Sequence, residues 1–586
     1  MTIPQAYELA LAHYQAGRHK DAEPILRQIF LQQPDHPDAL HLAGLLSHQA
    51  GRSAPAADFI RRAILLNPIN ADYHNNLGLI VAGQGNTDES IAALKRAIAL
   101  RPDFARAHNN LGTLYAEIRH WDPAIESFRR ALAIDPEYAE AESNLASALK
   151  ETGHLDEAIE SYQRAAQLRG DPRIASNLVY LLHFHPGYGP REIADAHREW
   201  NRAFAAPLAG SIRSHTNDPS PDRPLRIGYV SPDFRQHPVG RFIAPLLEHH
   251  NRDQFQIFCY SDAQRPDELT HRLQRRANVW RNISGMPDEQ LTEMIRADGI
   301  DILVDLTMHM EGNRLLTFAR KPAPVQVTYL AYCGTTGLDA IDYRLSDPYL
   351  DPPGGDESVY SEKTVRLQSY WSYEPPSEAP QVMPPPSAST GTVMFGCLNA
   401  FSKVTEPTLA AWARILAQTP QSRILIHSGE GLHRQKVRQR FAEAGIDPAR
   451  VEFIGRMAAN EYFTQYNAID VALDPFPYPG GTTSCDALWM GVPVVTLPGQ
   501  TAVSRAGVSV LSTIGLPEFI ARTVDDYVTI ASQLALDVAR RTHLRSSLRQ
   551  RMINSPLMNS ANFTRDVEAQ MRDMWRNWCT ASSRTK

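Results

Sequence analysis

The chain has 586 residues, 43% hydrophobic and 21% charged, a length well above the ~100–150 residues of a single domain, so three or more compact units are expected. A formal net charge of -6 without a long Lys/Arg run argues against nucleic acid as the main partner, because neutralising phosphates needs basic stripes. Five scattered cysteines form no C-x-x-C pair or His/Cys cluster, the first residues run straight into helix-like sequence, and no run of about 18 apolar residues follows; a cytoplasmic protein without disulfides, structural zinc or a membrane partner is expected.

Pro34, Pro68, Pro102 and Pro136 stand 34 residues apart, and Gly44, Gly78, Gly112 and Ala146 keep the same step. That period is the one of tetratricopeptide helix pairs. Residues 1–170 therefore predict five repeats near 1–34, 35–68, 69–102, 103–136 and 137–170, with a partial sixth to 205. Loop positions fall at Gly17, Gly51, Gly85, Arg119 and Gly153, and only Arg119 breaks the glycine series. Ala22, Ala56, Ser90, Ala124 and Ala158 mark close helix contacts, and each proline ends a second helix because it lacks the amide donor. Such an array presents a groove for extended polypeptide. Asn76, Asn110 and Asn144 share one phase of the first helices; they are either amides that grip the main chain of an acceptor peptide or solvated polar positions on a helix face.

Past a helical stretch around 190–206, the polar, proline-rich segment at 206–224 reads as a linker or ordered junction. Residues 225–231, 255–261 and 300–306 read as buried strands with helical patterns between them, which predicts a parallel-sheet domain over 225–374. A second proline-rich tract at 375–390 precedes a fresh start: strands at 393–396, 423–427, 451–454, 471–473 and 494–497, with a helix around 406–418, predict a second α/β domain over 391–586. Two doubly wound domains place a ligand at the carboxyl ends of their strands, in the cleft between them.

The segment DPFPYPGGTTSCD at 474–486 follows a strand and precedes an apolar helix starting near Ala487. Gly480 and Gly481 permit close backbone approach, and Thr482 and Thr483 add hydroxyls to the helix N-terminus; this makes either a diphosphate site or a plainly capped helix. Asp486, one turn on, serves either ribose hydroxyls or the helix dipole. His237 lies just beyond the first strand, where the cleft is expected, and His309 follows the strand at 300–306. There is no D-x-D motif to hold a diphosphate through a metal.

The ordered series GYVSPDFRQHP (228–238), RKPAPVQ (320–326), YCGTTG (332–337), YSEK (360–363), NAFSK (399–403), GGTTSCDAL (480–488), GVP (491–493) and Ser504-Arg505 resembles the O-linked N-acetylglucosamine transferase family, which includes the plant SPINDLY-like enzymes and is classed as glycosyltransferase family 41. The match covers about 225–580 plus the repeats. It implies an α + α/β fold class: a tetratricopeptide superhelix followed by a GT-B catalytic region of two Rossmann-like domains.

The resemblance further implies an inverting, metal-independent transfer of N-acetylglucosamine from UDP-GlcNAc to Ser or Thr hydroxyls of polypeptides held by the repeats. No cofactor is expected, the UDP-sugar being a co-substrate. Lys403 is expected on the diphosphate with Gly481, Thr482 and Thr483, Asp486 on the ribose, Tyr462 stacked on uracil, and His309, Gly334 and Thr335 at the substrate. His237 is expected in the catalytic centre, in a role the resemblance leaves open. Relatives using GDP-fucose on hydroxyls or UDP-glucose on asparagine leave other donors and acceptors as alternatives, and a nucleotide-binding scaffold of weak activity is a third. The departures lie at Met308 and Met310, where bacterial relatives carry Gly and Thr around the histidine, at Cys333 in place of proline, and at Arg296, Ala400 and Gly481 in place of residues typical of the animal enzymes.

Overall fold

A computed structural model describes residues 1–376 and 378–584. The chain divides into two compact units, one of residues 1–152 with 160–169, the other of 153–159 with 170–586.

The first unit is built of helix pairs Ile3–Gln15 with His19–Gln32, Pro37–Gln49 with Ser53–Leu66, Ala71–Ala82 with Thr87–Leu100, and Ala105–Glu117 with Trp121–Ile134, followed by Ala139–Glu151 and most of Leu155–Leu168. Within pairs the helices approach so closely that a Cβ on Gly44, Gly78 or Gly112 would lie 2.5, 2.7 or 2.6 Å from Ile60, Leu94 or Phe128. Gly17, Gly51 and Gly85 turn the chain at φ of 70–82°, and Arg119 takes the same left-handed conformation at 60° despite its Cβ. The three amides tie successive repeats together. Asn76 Nδ2 meets His41 Nε2 at 2.8 Å, Asn110 donates to Asn75 at 2.9 Å and Asn144 donates to Asn109 at 3.0 Å. Each amide thus gives a hydrogen bond to the neighbouring repeat.

The second unit opens with a sixth pair, Pro172–Leu182 and Pro190–Trp200, then forms two sheets. The first contains β1 (Leu225–Ser231), β2 (Phe255–Ser261), β3 (Val279–Asn282), β4 (Ile302–Asp305), β5 (Val325–Thr328), β6 (Tyr343–Ser346) and β7 (Lys363–Arg366), in the order β3-β2-β1-β4-β5-β6-β7. The second contains β8 (Val393–Cys397), β9 (Ser422–His427), β10 (Val451–Ile454), β11 (Val471–Leu473) and β12 (Val494–Val495), in the order β10-β9-β8-β11-β12. Each named strand pair is parallel. Helices on both faces bury these sheets, which is why β1 and β2 read as nearly continuous apolar runs. Strand order reverses between β1 and β4 and between β8 and β11, so the loops leaving those four strands meet where a doubly wound sheet holds its ligand.

One boundary differs from the sequence reading. The last helix, Ser560–Arg584, leaves the second sheet and packs on the first domain: Glu568 Oε1 accepts from the Asn251 amide at 2.7 Å and meets His250 Nδ1 at 2.9 Å, and Trp575 Nε1 donates to Ser220 O at 3.1 Å.

Two substitutions in the repeats are expected to act in opposite directions. Arg119→Gly relieves a left-handed side chain and raises stability by about 0.5–1 kcal/mol after the extra chain entropy of glycine, whereas Gly112→Ala forces a methyl against Phe128 and costs about 1–3 kcal/mol. Urea midpoints followed by far-ultraviolet circular dichroism check both signs.

Candidate active site

The loop at 474–481 carries the chain from β11 into the helix Thr482–Trp489, which begins five residues before the expected Ala487. Asp474, 2% exposed, stands at the end of the strand and accepts from the Gly480 amide at 3.1 Å and the Ser484 hydroxyl at 2.8 Å. A Cβ at Gly480 would lie 2.2 Å from that hydroxyl, so the turn requires glycine. Beside it, Lys403 Nζ donates to Pro479 O at 2.9 Å and sits 4.2 Å from the Tyr478 ring centroid. Burial pushes the lysine down to about 8, opposed by Asp474, and burial lifts the Asp474 carboxyl to about 6. Thr483 Oγ1 donates to Asn399 Oδ1 at 2.8 Å, joining the loop after β8 to the helix start.

From the first sheet, the loop after β1 brings His237 to the same pocket as N-cap of the helix Pro238–His249. Its Nδ1 lies 3.4 Å from both Asp233 Oδ2 and the Val239 amide. Burial lowers its pKa, with Asp233 opposing, so the imidazole is neutral near pH 7. Gly240 lets this loop close, since a Cβ there would lie 2.1 Å from Arg235 O. The pocket has a volume of about 280 Å³ and is lined by His237, Lys403, Gly481, Thr482 and Thr483 among others. A lysine, the amides and hydroxyls of a helix start and a neutral histidine thus converge on one space. That set suits an anion beside a group that accepts a hydrogen bond.

The family profile "Glycosyl transferase family 41" matches residues 209–371 and 387–567, more than half of the chain. The chain belongs to glycosyl transferase family 41. Tetratricopeptide profiles match within 7–172. A probable UDP-N-acetylglucosamine–peptide N-acetylglucosaminyltransferase SPINDLY of Solanum lycopersicum is 42% identical over 398 residues, covering 66% of this chain and 42% of the relative, and that of Arabidopsis thaliana is 38% identical over 397 residues, covering 66% and 43%. The chain therefore spans less than half the length of these relatives. A solved structure of a lysine-to-methionine variant of Thermobaculum terrenum O-GlcNAc transferase is 37% identical with a TM-score of 0.81, over 87% of this chain and 98% of that one. The chain's architecture is repeats ahead of two Rossmann-like domains.

Not every residue expected of a family 41 enzyme reaches the pocket. Asp486 is 1% exposed and is held by Arg241 at 2.8 and 3.4 Å and by the Tyr373 hydroxyl at 2.7 Å, so its oxygens are engaged across the two sheets rather than offered to a ribose. Tyr462, half-buried, shares a hydrogen bond with Tyr466 at 2.8 Å and packs edge-on to Phe463 and Tyr466. His309 is fully buried, bonded through Nε2 to Thr336 O at 2.8 Å and through Nδ1 to Ser176 at 3.1 Å, which makes it a structural residue in this arrangement. Met308 before it takes φ 47°, the region that favours glycine, and its side chain is buried beside Tyr332 and Val503. Gly334 and Thr335 line a neighbouring cavity, and Thr335 Oγ1 donates to Glu362 at 2.5 Å. Asp233, Asp474, Asn399 and Arg241 were passed over in the sequence reading. Asp474 and Asn399 carried a readable signal, as polar residues at or just after the ends of β11 and β8.

Three buried histidines knit the sixth helix pair to the first sheet. His197 donates from Nδ1 to Ile193 O at 2.7 Å, and its ring centroid lies 5.0 Å from that of His309 and 5.5 Å from that of His183. Burial lowers all three pKa values, that of His197 to about 4. The unfolded chain binds protons below about 6.5 while these folded sites stay neutral, so their stability is present above that pH and is lost as pH falls towards 4, at about 1.4 kcal/mol per pH unit for each histidine. Urea midpoints at pH 7.5 and 5.0 are expected to fall less for His197→Phe than for the wild type.

Proposed function

We propose that this glycosyltransferase moves N-acetylglucosamine from UDP-GlcNAc to Ser or Thr hydroxyls of polypeptides by a single inverting displacement. The observation that carries the reading is the convergence of Lys403, Gly481, Thr482 and Thr483 with His237 on one pocket at the ends of β1, β8 and β11. The activity for which the SPINDLY relatives are named supports the donor and the peptide acceptor, and the repeats supply a surface suited to an extended chain. Five buried free thiols fit a reducing compartment.

In this reading the departing UDP gathers negative charge, which the Lys403 ammonium and the first-turn amides of Thr482–Trp489 meet without a metal. The Val239 amide donates to His237 Nδ1, so the neutral imidazole holds its proton on Nε2 and serves as a donor that orients the acceptor hydroxyl or the sugar. The nucleoside end requires rearrangement. Asp486 is freed for a ribose only after Arg241 and Tyr373 release the carboxylate.

Lys403→Ala is expected to weaken UDP binding by about ten- to a hundredfold and to lower turnover at least as much. Because the ammonium titrates near 8, UDP affinity falls as pH rises through that value, by up to about tenfold per unit. Lys403→Arg, which stays charged, flattens this profile. Calorimetric titration with UDP between pH 7 and 9, alongside UDP release and a HexNAc mass gain on protein acceptors, checks the reading; normal turnover by Lys403→Ala overturns it.

A further inference from the structure

The loop glycines of the repeats are not equivalent. A Cβ on Gly17, Gly51 or Gly85 would meet nothing within 4 Å, whereas one on Gly153 would lie 3.2 Å from Phe401 Cε1 and 3.9 Å from Val404 O. The turn at 153–159 is part of the second unit. Two more contacts hold it there: Lys436 Nζ donates to His154 Nε2 at 2.8 Å, and His185 Nε2 meets Asp156 Oδ1 at 2.9 Å. Phe401 itself is 6% exposed. Its ring also packs against His433, with centroids 4.9 Å apart, and His433 Nε2 is bonded to Ser428 Oγ at 2.6 Å.

Phe401 opens the single turn Phe401–Lys403, in which the Lys403 amide donates to Ala400 O at 3.0 Å and the Val404 amide to Phe401 O at 2.8 Å. Just beyond it, the Thr405 and Thr408 hydroxyls donate to Phe476 O at 2.7 and 3.0 Å, which ties this stretch to the loop that enters the helix Thr482–Trp489. The Lys403 ammonium carries three donors and makes one hydrogen bond among the described residues, to Pro479 O. A point charge on a flexible four-carbon stem with so few partners is placed by its main chain. That main chain is placed by Phe401, whose ring has no room to advance because the bare backbone of Gly153 lies against it. We propose that Phe401, braced by the turn at Gly153, is a positioning residue that sets where the Lys403 ammonium meets the anion of the donor. The inference rests on the transferase reading above, which puts that anion beside Lys403.

The test uses the full chain and calorimetric titration with UDP from pH 7 to 10. Phe401→Ala, which frees the turn, is expected to weaken UDP binding about tenfold at pH 7. The alkaline midpoint of its affinity is expected to rise by at least about half a pH unit over the wild type, because an ammonium released from its packing regains water. Phe401→Leu restores both in part. Gly153→Asn and Gly85→Asn share a left-handed main chain that asparagine tolerates, but only the first brings a side chain against Phe401. Gly153→Asn is expected to weaken UDP binding at least about fivefold, and Gly85→Asn to leave it within about twofold. Wild-type affinity in both Phe401→Ala and Gly153→Asn overturns the inference, and so does a loss of affinity in Phe401→Ala whose alkaline midpoint stays at the wild-type value. A wild-type chain that fails to bind UDP, or Lys403→Ala that binds it as the wild type does, overturns the transferase reading, and this inference with it.

Discussion

Asp474 ends β11 with its carboxylate facing inward, where it collects the Gly480 amide and the Ser484 hydroxyl. A buried acid in such a place has to be satisfied by donors, and the donors it takes are those that shape the glycine turn. The turn in turn fixes where Thr482 and Thr483 begin their helix, and the carboxylate's field helps a half-buried lysine keep its proton. Without that acid the strand end, the turn and the ammonium would have no common reference. The shape of this pocket is therefore a property of one carboxylate and its donors more than of the glycines that mark it in the sequence.

The second constraint couples the two sheets. Arg241 lies four residues past His237 and Asp486 four past Thr482, so their ion pair sits one helical turn behind each helix start that lines the pocket. A pair buried to this degree loses heavily if either partner is removed, since the remaining charge is stranded. It sets the spacing between the histidine and the phosphate-shaped helix end. It also engages the group that the family resemblance gives to the ribose.

Much of this architecture was legible because its causes are local. Glycine at left-handed turns, small residues at helix crossings and proline at helix exits repeat every 34 residues, and the long apolar runs of β1 and β2 announce buried parallel strands. The strands that escaped notice are short and carry polar residues with specific partners. Gln326 in β5 is fully buried and donates to Phe318 O and Ala340 O, and Arg344 in β6 is 1% exposed and bound to Asp351. In the site, Thr482, Thr483 and His237 were visible from their places after a glycine turn and a first strand, and Lys403 through the family resemblance alone. The engagement of Asp486 was not, because its partner is 245 residues away and no local pattern encodes that meeting. The Asn ladder was half visible: its phase could be read, but not that each amide bonds to the preceding repeat.

The return of the last helix to the first domain has a consequence for biogenesis. Residues 560–584 emerge some three hundred residues after β1, yet they supply Glu568 to His250 and Trp575 to the junction at Ser220. Until they arrive, the helix that carries His237 lacks its outer cover, and an apolar flank of the first sheet stays open to solvent and to chaperones. The first domain is thus closed by a segment encoded beyond the second sheet, so the folding of the helix that carries His237 is tied to synthesis of the domain that follows it.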